Sequence, residues 1–376
     1  MLEIKSWCKD IEASAQKQID NLARLPFAFK HIAVMPDCHT GYGMPIGGVL
    51  ACEGVIIPNA VGVDIGCGVT ACQTSLTELE AHTLKKIIGE IRSSIPMGFN
   101  LHKVAKDIAQ IPKNHSGKVV AQHYQNARCQ MGTLGGGNHF IEIQKGSDGK
   151  IWFMIHSGSR NLGKQVADYY NTQAKKYNKQ TGTELPAGFD LAYIPESSPL
   201  FKEYLDEMNY CLEFARQNRL EMARVVSSII SGLADGKANR SYDIHHNYAA
   251  RENHFGHNVW LHRKGATSAR LGEVGIIPGS QGTKSYIVSG LGNPESFNSC
   301  SHGAGRLMSR TKAMQELSVA KEAERLNKLN ILHSIRGVKD LDEAPSAYKN
   351  ITEVMSSQTD LVKIKVELSP MAVLKG

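Results

Sequence analysis

Hydrophobic positions recur at two different periods along this chain. Over residues 77–92, Leu79, Leu84, Ile87, Ile88 and Ile91 fall near helical spacing, while Glu78, Lys85, Lys86, Glu90 and Arg92 supply a polar side. Over 361–368 the step is two: Val362, Ile364, Val366 and Leu368 share one face and Lys363, Lys365 and Glu367 the other, which predicts a half-buried strand. The same reading predicts helices over 161–179, over 203–234 with a break near Asn218, and over 306–329. Further strands are predicted at 31–35, 48–57, 68–74, 151–155, 258–262 and 285–289. The elements alternate without a βαβ rhythm, a fixed-period repeat or a linker, so the expectation is an α+β fold in a single domain, 1–376.

Between these elements glycine gathers in six short blocks beside polar residues: CHTGYG (38–43), AVGVDIGCG (60–68), GTLGGGNHF (132–140), HSGSRNLG (156–163), IPGSQGTKSY (277–286) and SHGAGR (301–306). Glycine costs backbone entropy on folding, so such blocks make sense where the chain turns sharply or lets a ligand approach its backbone. Composition adds bounds. A hydrophobic fraction of 41% in 376 residues suffices for a cored globular protein. The net charge of +7 suits a polyanionic partner, yet it is too small and too evenly spread to identify one. No apolar run approaches the roughly 18 residues of a membrane span, and charges interrupt the opening MLEIKSWCKDIEASAQ, so a cytoplasmic protein without a membrane partner is expected. The eight cysteines are scattered, without the density of a disulfide scaffold and without a CxxC zinc pattern.

The chemistry-bearing residues lie mainly in the glycine blocks. Asp64 and Cys67 offer a carboxylate and a thiol three residues apart, able to face one divalent ion; the same pair also reads as a turn cap and a small buried hydrophobe. His139, His156 and His246 each read alone as ordinary core or surface histidines. Together, with Asp64 and Cys67 available, they form a mixed N, S and O donor set that suits manganese or zinc better than magnesium. His302 sits among small residues before Arg306, an arrangement that fits a nucleophile, a metal ligand or a helix cap. A helix beginning after Gly303-Ala304-Gly305 is expected to aim its free N–H groups toward it. Arg263, Lys264, Ser280, Thr283 and Lys284 carry groups that commonly hold phosphates, or equally make surface salt bridges. His31, His82, His115, His254 and His333 are given no chemistry. No GxxxxGK[ST] loop, dinucleotide GxGxxG after a clear strand or GxSxG elbow supports the commonest ATPase, oxidoreductase or esterase sites.

These motifs, taken in order, resemble the RtcB family of RNA ligases. The resemblance runs from PDCHTGYGMPIGGV and VGVDIGCG through GTLGGGNHFIEI, HSGSRNLG, HHNY, HRKGAT, IPGSQGTKSY and SHGAGRLMSR to the terminal PMAVLKG, nearly the whole chain. It implies one RtcB-like catalytic domain with central β-sheets, surrounding helices and a buried metal centre. It implies two manganese ions held by Asp64, Cys67, His139, His156 and His246 with Cys67 as the bridge, and GTP as cosubstrate giving GMP on His302. Asn138, Glu142, Ser280, Ala304, Tyr348 and Lys375 match positions that hold or border the guanine nucleotide, while Asp37, Arg160, Asn247 and Lys264 match positions near RNA ends, phosphates or reacting oxygens. The implied reaction joins an RNA 3′-phosphate or 2′,3′-cyclic phosphate end to a 5′-hydroxyl end, in RNA repair or tRNA splicing. A monomer is expected, with room for an activating protein. Two rival readings use the same residues: a metal-dependent phosphoesterase without guanylylation, and a non-enzymatic RNA-binding protein, which has no need of an Asp/Cys/His cluster.

Overall fold

The computed structural model describes residues 1–106 and 117–376, so His115 lies outside the described residues. Two sheets organise the chain. The first has five strands in the order Glu3–Ser6, Ala28–His39, Ile46–Cys52, His257–Lys264 and Asn247–His254, antiparallel except for the first pair. The second has seven antiparallel strands in the order Val274–Ile277, Ser285–Gly290, Val362–Lys375, Phe140–Gly146, Ile151–Ser157, Gly68–Thr74 and Ala238–His245. With its helices this is an α+β fold, as the pattern predicted.

Several strands are buried on both faces, because successive side chains point to opposite faces and each face meets its own core. In the first sheet Ala33, Met35, Val49, Ala51, Val259 and Leu261 pack against Tyr286, Val288 and Phe297. Their neighbours Ile32, Val34, Leu50 and Cys52 pack against Ala15, Ile19 and Leu22 of the helix Ala13–Leu22. In the second sheet Ile141, Ile143, Phe153 and Ile155 meet Leu84, Ile87 and Ile91 of Ala81–Ser94 and Met222, Val226 and Ile230 of Pro199–Ala234. Val69, Ala71 and Met154 face the other way, onto Ile276, Ile287 and Leu368.

Three local predictions change. The helix Pro199–Ala234 is continuous through Asn218. Asn218 and Arg219 are polar residues turned fully inward: the Asn218 side chain accepts from Gly132 N and Thr133 N and donates to Thr133 O and Gly158 O. Arg219 donates to Gly66 O and Ser157 O and pairs with Asp243. What reads in sequence as a polar interruption is a helix face that fastens the glycine loops.

The helix over 306–329 is instead two, Arg310–Glu316 and Val319–Lys328. Residues just after the glycine turn are engaged as an irregular edge, with Leu307 N donating to Ala347 O and Lys349 N to Gly305 O. The first helix starts only at Ser309, whose side chain accepts from Lys312 N. The helix expected to begin directly after the glycine turn beside His302 is therefore displaced to Arg310. Finally, the apolar run 48–57 divides into Ile46–Cys52 and Val55–Ile56.

Candidate active site

Strand register brings distant residues to one end of the seven-stranded sheet. His156 is paired with both Phe140 and Val69, and Gly68 with Ser157 and His245. His139, His156, Cys67 and His246 consequently emerge side by side. His246 occupies the single residue between Ala238–His245 in one sheet and Asn247–His254 in the other, where the chain crosses between them. The C-terminal strand pairs Lys375 with Phe140, which carries its amine to the same end.

The donor atoms converge in two groups that share one sulfur: Cys67, His156 and His246, and Asp64, Cys67 and His139. Cys67 Sγ lies 3.2 Å from His156 Nε2 and 3.5 Å from His139 Nε2. His139 Nε2 is 3.2 Å from Asp64 Oδ2, and His156 Nε2 is 3.4 Å from His246 Nε2. The opposite nitrogens fix the tautomers. His139 Nδ1 donates to Leu134 O at 2.9 Å and His156 Nδ1 to Asn138 O at 3.0 Å, so both Nε2 lone pairs face the cluster.

Burial pushes the imidazoles of His156 and His246 well below their ordinary range, keeping them neutral. Burial alone would raise the Asp64 carboxyl, but the hydrogen bond and charge of His139 hold it below its usual value. His246 Nδ1 is buried without a hydrogen-bond partner. Imidazole nitrogens, a thiol and a carboxylate converging within bonding distance of one point are the donors a divalent cation takes. The donor set fits a metal.

His302 stands beside this cluster rather than in it. Its Nδ1 donates to Asp37 Oδ2 at 2.6 Å, and the same oxygen accepts from His302 N and Gly303 N. In the neutral ring this places the remaining lone pair on Nε2. The ring centroid is 4.8 Å from that of His246. Gly265 allows the approach: at φ +58° it adopts left-handed backbone, and a Cβ there would stand 3.1 Å from His302 Cε1.

A cavity of about 770 Å³ joins His302 and the metal ligands to a second wall built by Asn138, Glu142, Ser280, Ala304, Tyr348 and Lys375. Asn247 and Lys264 line it too, whereas Asp37 and Arg160 do not. Residues 18–114 and 102–376 match the family model described as tRNA-splicing ligase RtcB. The chain belongs to the RtcB family. It is 40% identical to the RNA-splicing ligase RtcB of Escherichia coli strain K12, over 99% of this chain and 97% of that one. It is 31% identical to the tRNA-splicing ligase RtcB of Thermococcus kodakarensis over 96% and 90%, and 30% identical to the RNA-splicing ligase RtcB of Mycobacterium tuberculosis over 96% and 100%. As a member of the RtcB family the chain is an RNA ligase.

The residues matched to RNA ends, phosphates or reacting oxygens in this RtcB site make contacts of their own within the fold. Asp37 is fully buried, and its carboxylate accepts from the His302 imidazole. Both polar atoms of the Asn247 side chain are engaged by backbone, donating to Asp64 O and accepting from Gly265 N. Lys264 Nζ donates to Tyr42 O and Asn59 O, and burial lowers its amine to about 7. Arg160, at φ +58°, donates to Thr133 Oγ1 and Gly98 O. Arg263 holds no phosphate: it is fully buried, paired with Glu252 and bonded to Ser299 and Phe297 O. Lys284 makes the surface pair with Glu367.

Sequence reasoning missed Glu343, a buried carboxylate that gathers Arg306 (2.9 Å), Arg310 (2.8 Å) and the Tyr348 hydroxyl on the second wall. A lone glutamate in DEAPSAY carries no motif that could have marked it. The Glu142 carboxyl beside it gives a testable pH dependence. Burial raises it from 4.5 to about 8, while a hydrogen bond from Gln144 and the charge of Lys375 oppose this. The folded state then keeps a proton that the unfolded chain has released, so this residue costs stability increasingly as pH rises from 4.5 to about 8. Glu142→Gln is expected to gain on the natural chain across that window in urea unfolding midpoints. Parallel pH profiles for the two proteins would contradict the protonated assignment.

Proposed function

We propose that this ligase joins an RNA 3′-phosphate end, or a 2′,3′-cyclic phosphate end after hydrolysis to the 3′-phosphate, to a 5′-hydroxyl end through GMP carried on His302. What carries the reading is His302 itself: an imidazole beside a cation-ready cluster, not inside it, with Nδ1 committed to Asp37 and Nε2 open to the cavity.

His302 Nε2 attacks the α-phosphorus of GTP, the α–β phosphoanhydride bond breaks and pyrophosphate leaves. Asp37 keeps the proton on Nδ1 and balances the charge that develops on the ring. An oxygen of the RNA 3′-phosphate then displaces the imidazole, giving an RNA(3′)pp(5′)G end. The 5′-hydroxyl attacks the former 3′-phosphate, loses its proton, and GMP departs. Asp64, Cys67, His139, His156 and His246 would hold two manganese ions, which would supply Lewis-acid stabilisation of phosphate oxygens.

Asn138, Glu142, Ser280, Ala304, Tyr348 and Lys375 would hold the guanine nucleotide. The protonated Glu142 carboxyl and the Lys375 amine, itself lowered by burial, offer hydrogen bonds to a base. Arg160 would meet a phosphate near Asp64, while Asn247 and Lys264 hold the loops around the ligands. The proposal takes 1–376 as one catalytic domain, working as a cytoplasmic monomer in RNA repair or tRNA splicing, with room for an activating protein. Among the described residues no helix is long and apolar enough to cross a membrane.

Incubation with manganese and GTP labelled in the α-phosphate tests the reading. A labelled protein–GMP adduct is expected, and its label should pass to RNA bearing a 3′-phosphate. Hydrolysis of RNA phosphates by a protein that forms no adduct would favour a phosphoesterase on the same ligands.

A further inference from the structure

The glycine block CHTGYG holds one residue to which neither metal binding nor guanylylation gives a task. Tyr42 lines the active cavity, yet it is 71% exposed, and among the described residues no hydrogen bond or ring contact engages its side chain. Single exposed apolar residues are ordinary on protein surfaces. This one differs in how its backbone is held.

Lys264 Nζ reaches Tyr42 O at 2.6 Å, and Met44 N donates to the same carbonyl. One residue earlier, Gln18 brackets Gly41 by donating to its carbonyl at 2.6 Å and accepting from its N–H at 3.1 Å. Thr40 N donates to Glu12 Oε1. The loop is therefore fastened on both sides while its aromatic ring stands free, a surface organised before any ligand arrives.

Its position points to the ligand. The Lys264 chain that anchors Tyr42 also passes Gly62, where a Cβ would meet Lys264 Cε at 3.0 Å, and Gly62 leads through Val63 to Asp64. Val63 is 40% exposed and lines the same cavity. An exposed aromatic ring and an exposed valine thus line the cavity on segments tied through Lys264 and Gly62 to the ligand Asp64. RNA ends enter this cavity as the substrate. A joining enzyme must hold ends of any sequence, and stacking does that because every base has a π-face.

We infer that Tyr42, backed by Val63, is a stacking platform for the terminal nucleobase of an RNA end brought to the metal side of the cavity. This rests on the His302–GMP reading and deepens it. The guanylylation step uses no RNA, so the two can fail separately.

The test compares the natural chain, Tyr42→Ala and Tyr42→Phe with manganese, GTP and paired single-stranded RNA ends. Protein–GMP formation and the RNA concentration giving half-maximal sealing are measured for each. Losing a stacked base is expected to raise that concentration about five- to a hundredfold in Tyr42→Ala, with protein–GMP still formed. Tyr42→Phe, which keeps the π-face, is expected to restore it.

Two further substrates carry an abasic terminal nucleotide, one at the 3′-phosphate end and one at the 5′-hydroxyl end. The penalty should vanish on one of them, and that one identifies the end Tyr42 holds. Unchanged half-saturation in Tyr42→Ala overturns the platform, as does a penalty of full size on both abasic substrates. Loss of protein–GMP in Tyr42→Ala overturns it as well, because the tyrosine would then serve the nucleotide step. Absence of the adduct in the natural chain would instead sink the His302 reading.

Discussion

Cys67→Ala is expected to lose bound metal, protein–GMP formation and RNA joining together. Its sulfur is the donor common to both ligand groups, so its removal leaves Asp64 and His139 on one side and His156 and His246 on the other, each without a third partner. Even a residue that only orients a metal ligand is worth about 10–100-fold in affinity or activity, and a shared donor should exceed that. Burial, with the Asp64 charge beside it, pushes the Cys67 thiol well above its ordinary range. A cation must therefore displace a proton to gain the thiolate, and metal affinity should climb with pH in the natural chain. That slope should weaken in Cys67→Ala. Elemental analysis after manganese loading, run beside guanylylation and ligation assays, reads all three losses. Cys72→Ala is the matched control: Cys72 is also buried, in the strand Gly68–Thr74 that follows Cys67, but belongs to neither donor group. Ordinary metal content and ligation in Cys67→Ala would remove the ligand assignment.

The strands were legible wherever alternation or an apolar run reflected burial. The segment 68–74 reads as a strand because Val69 and Ala71 face one core while Cys72 faces another, and the observed strand has those bounds. The second half of Val362–Lys375 was not legible: past Leu368 the strand pairs with Phe140–Gly146, and Ala372, Val373 and Leu374 are all buried, so alternation ends. Asn218 and Arg219 misled for a related reason. Local polarity says break, but partners that satisfy them lie far along the chain, Gly158 at 60 residues from Asn218 and Gly66 at 153 from Arg219.

The metal donors were legible as residue types in glycine loops, whereas their convergence comes from register across four strands that no local window contains. Glu343 and the backbone anchors of Tyr42 were hidden altogether, since each depends on contacts between separated loops. Asp37 was assigned through the resemblance to the RNA side of the reaction. Its contact with His302, 265 residues further along the chain, could not be read from either segment alone.

That contact separates two steps of the reaction, and His302→Ala together with Asp37→Asn should show it. On the proposed mechanism His302→Ala removes the nitrogen that takes GMP, so labelled protein and GTP-dependent joining are both expected to vanish. The later step needs only the two RNA ends and the metal centre. A preformed RNA(3′)pp(5′)G end should therefore still be sealed to a 5′-hydroxyl by this variant. Asp37→Asn keeps the size of the side chain but removes the charge that holds the proton on His302 Nδ1. The imidazole can then turn its proton to Nε2 and lose the reactive lone pair. A comparable carboxylate-to-amide change behind a catalytic histidine costs about 10⁴ in kcat. Asp37→Asn should accordingly slow guanylylation by a large factor while leaving sealing of the preformed end close to normal. The backbone donors His302 N and Gly303 N can still bond the amide oxygen, so the loop has a route to keep its shape. A labelled adduct in His302→Ala would overturn the nucleophile assignment. Equal losses in both steps for Asp37→Asn would mean that the carboxylate holds the cavity wall rather than orienting the imidazole.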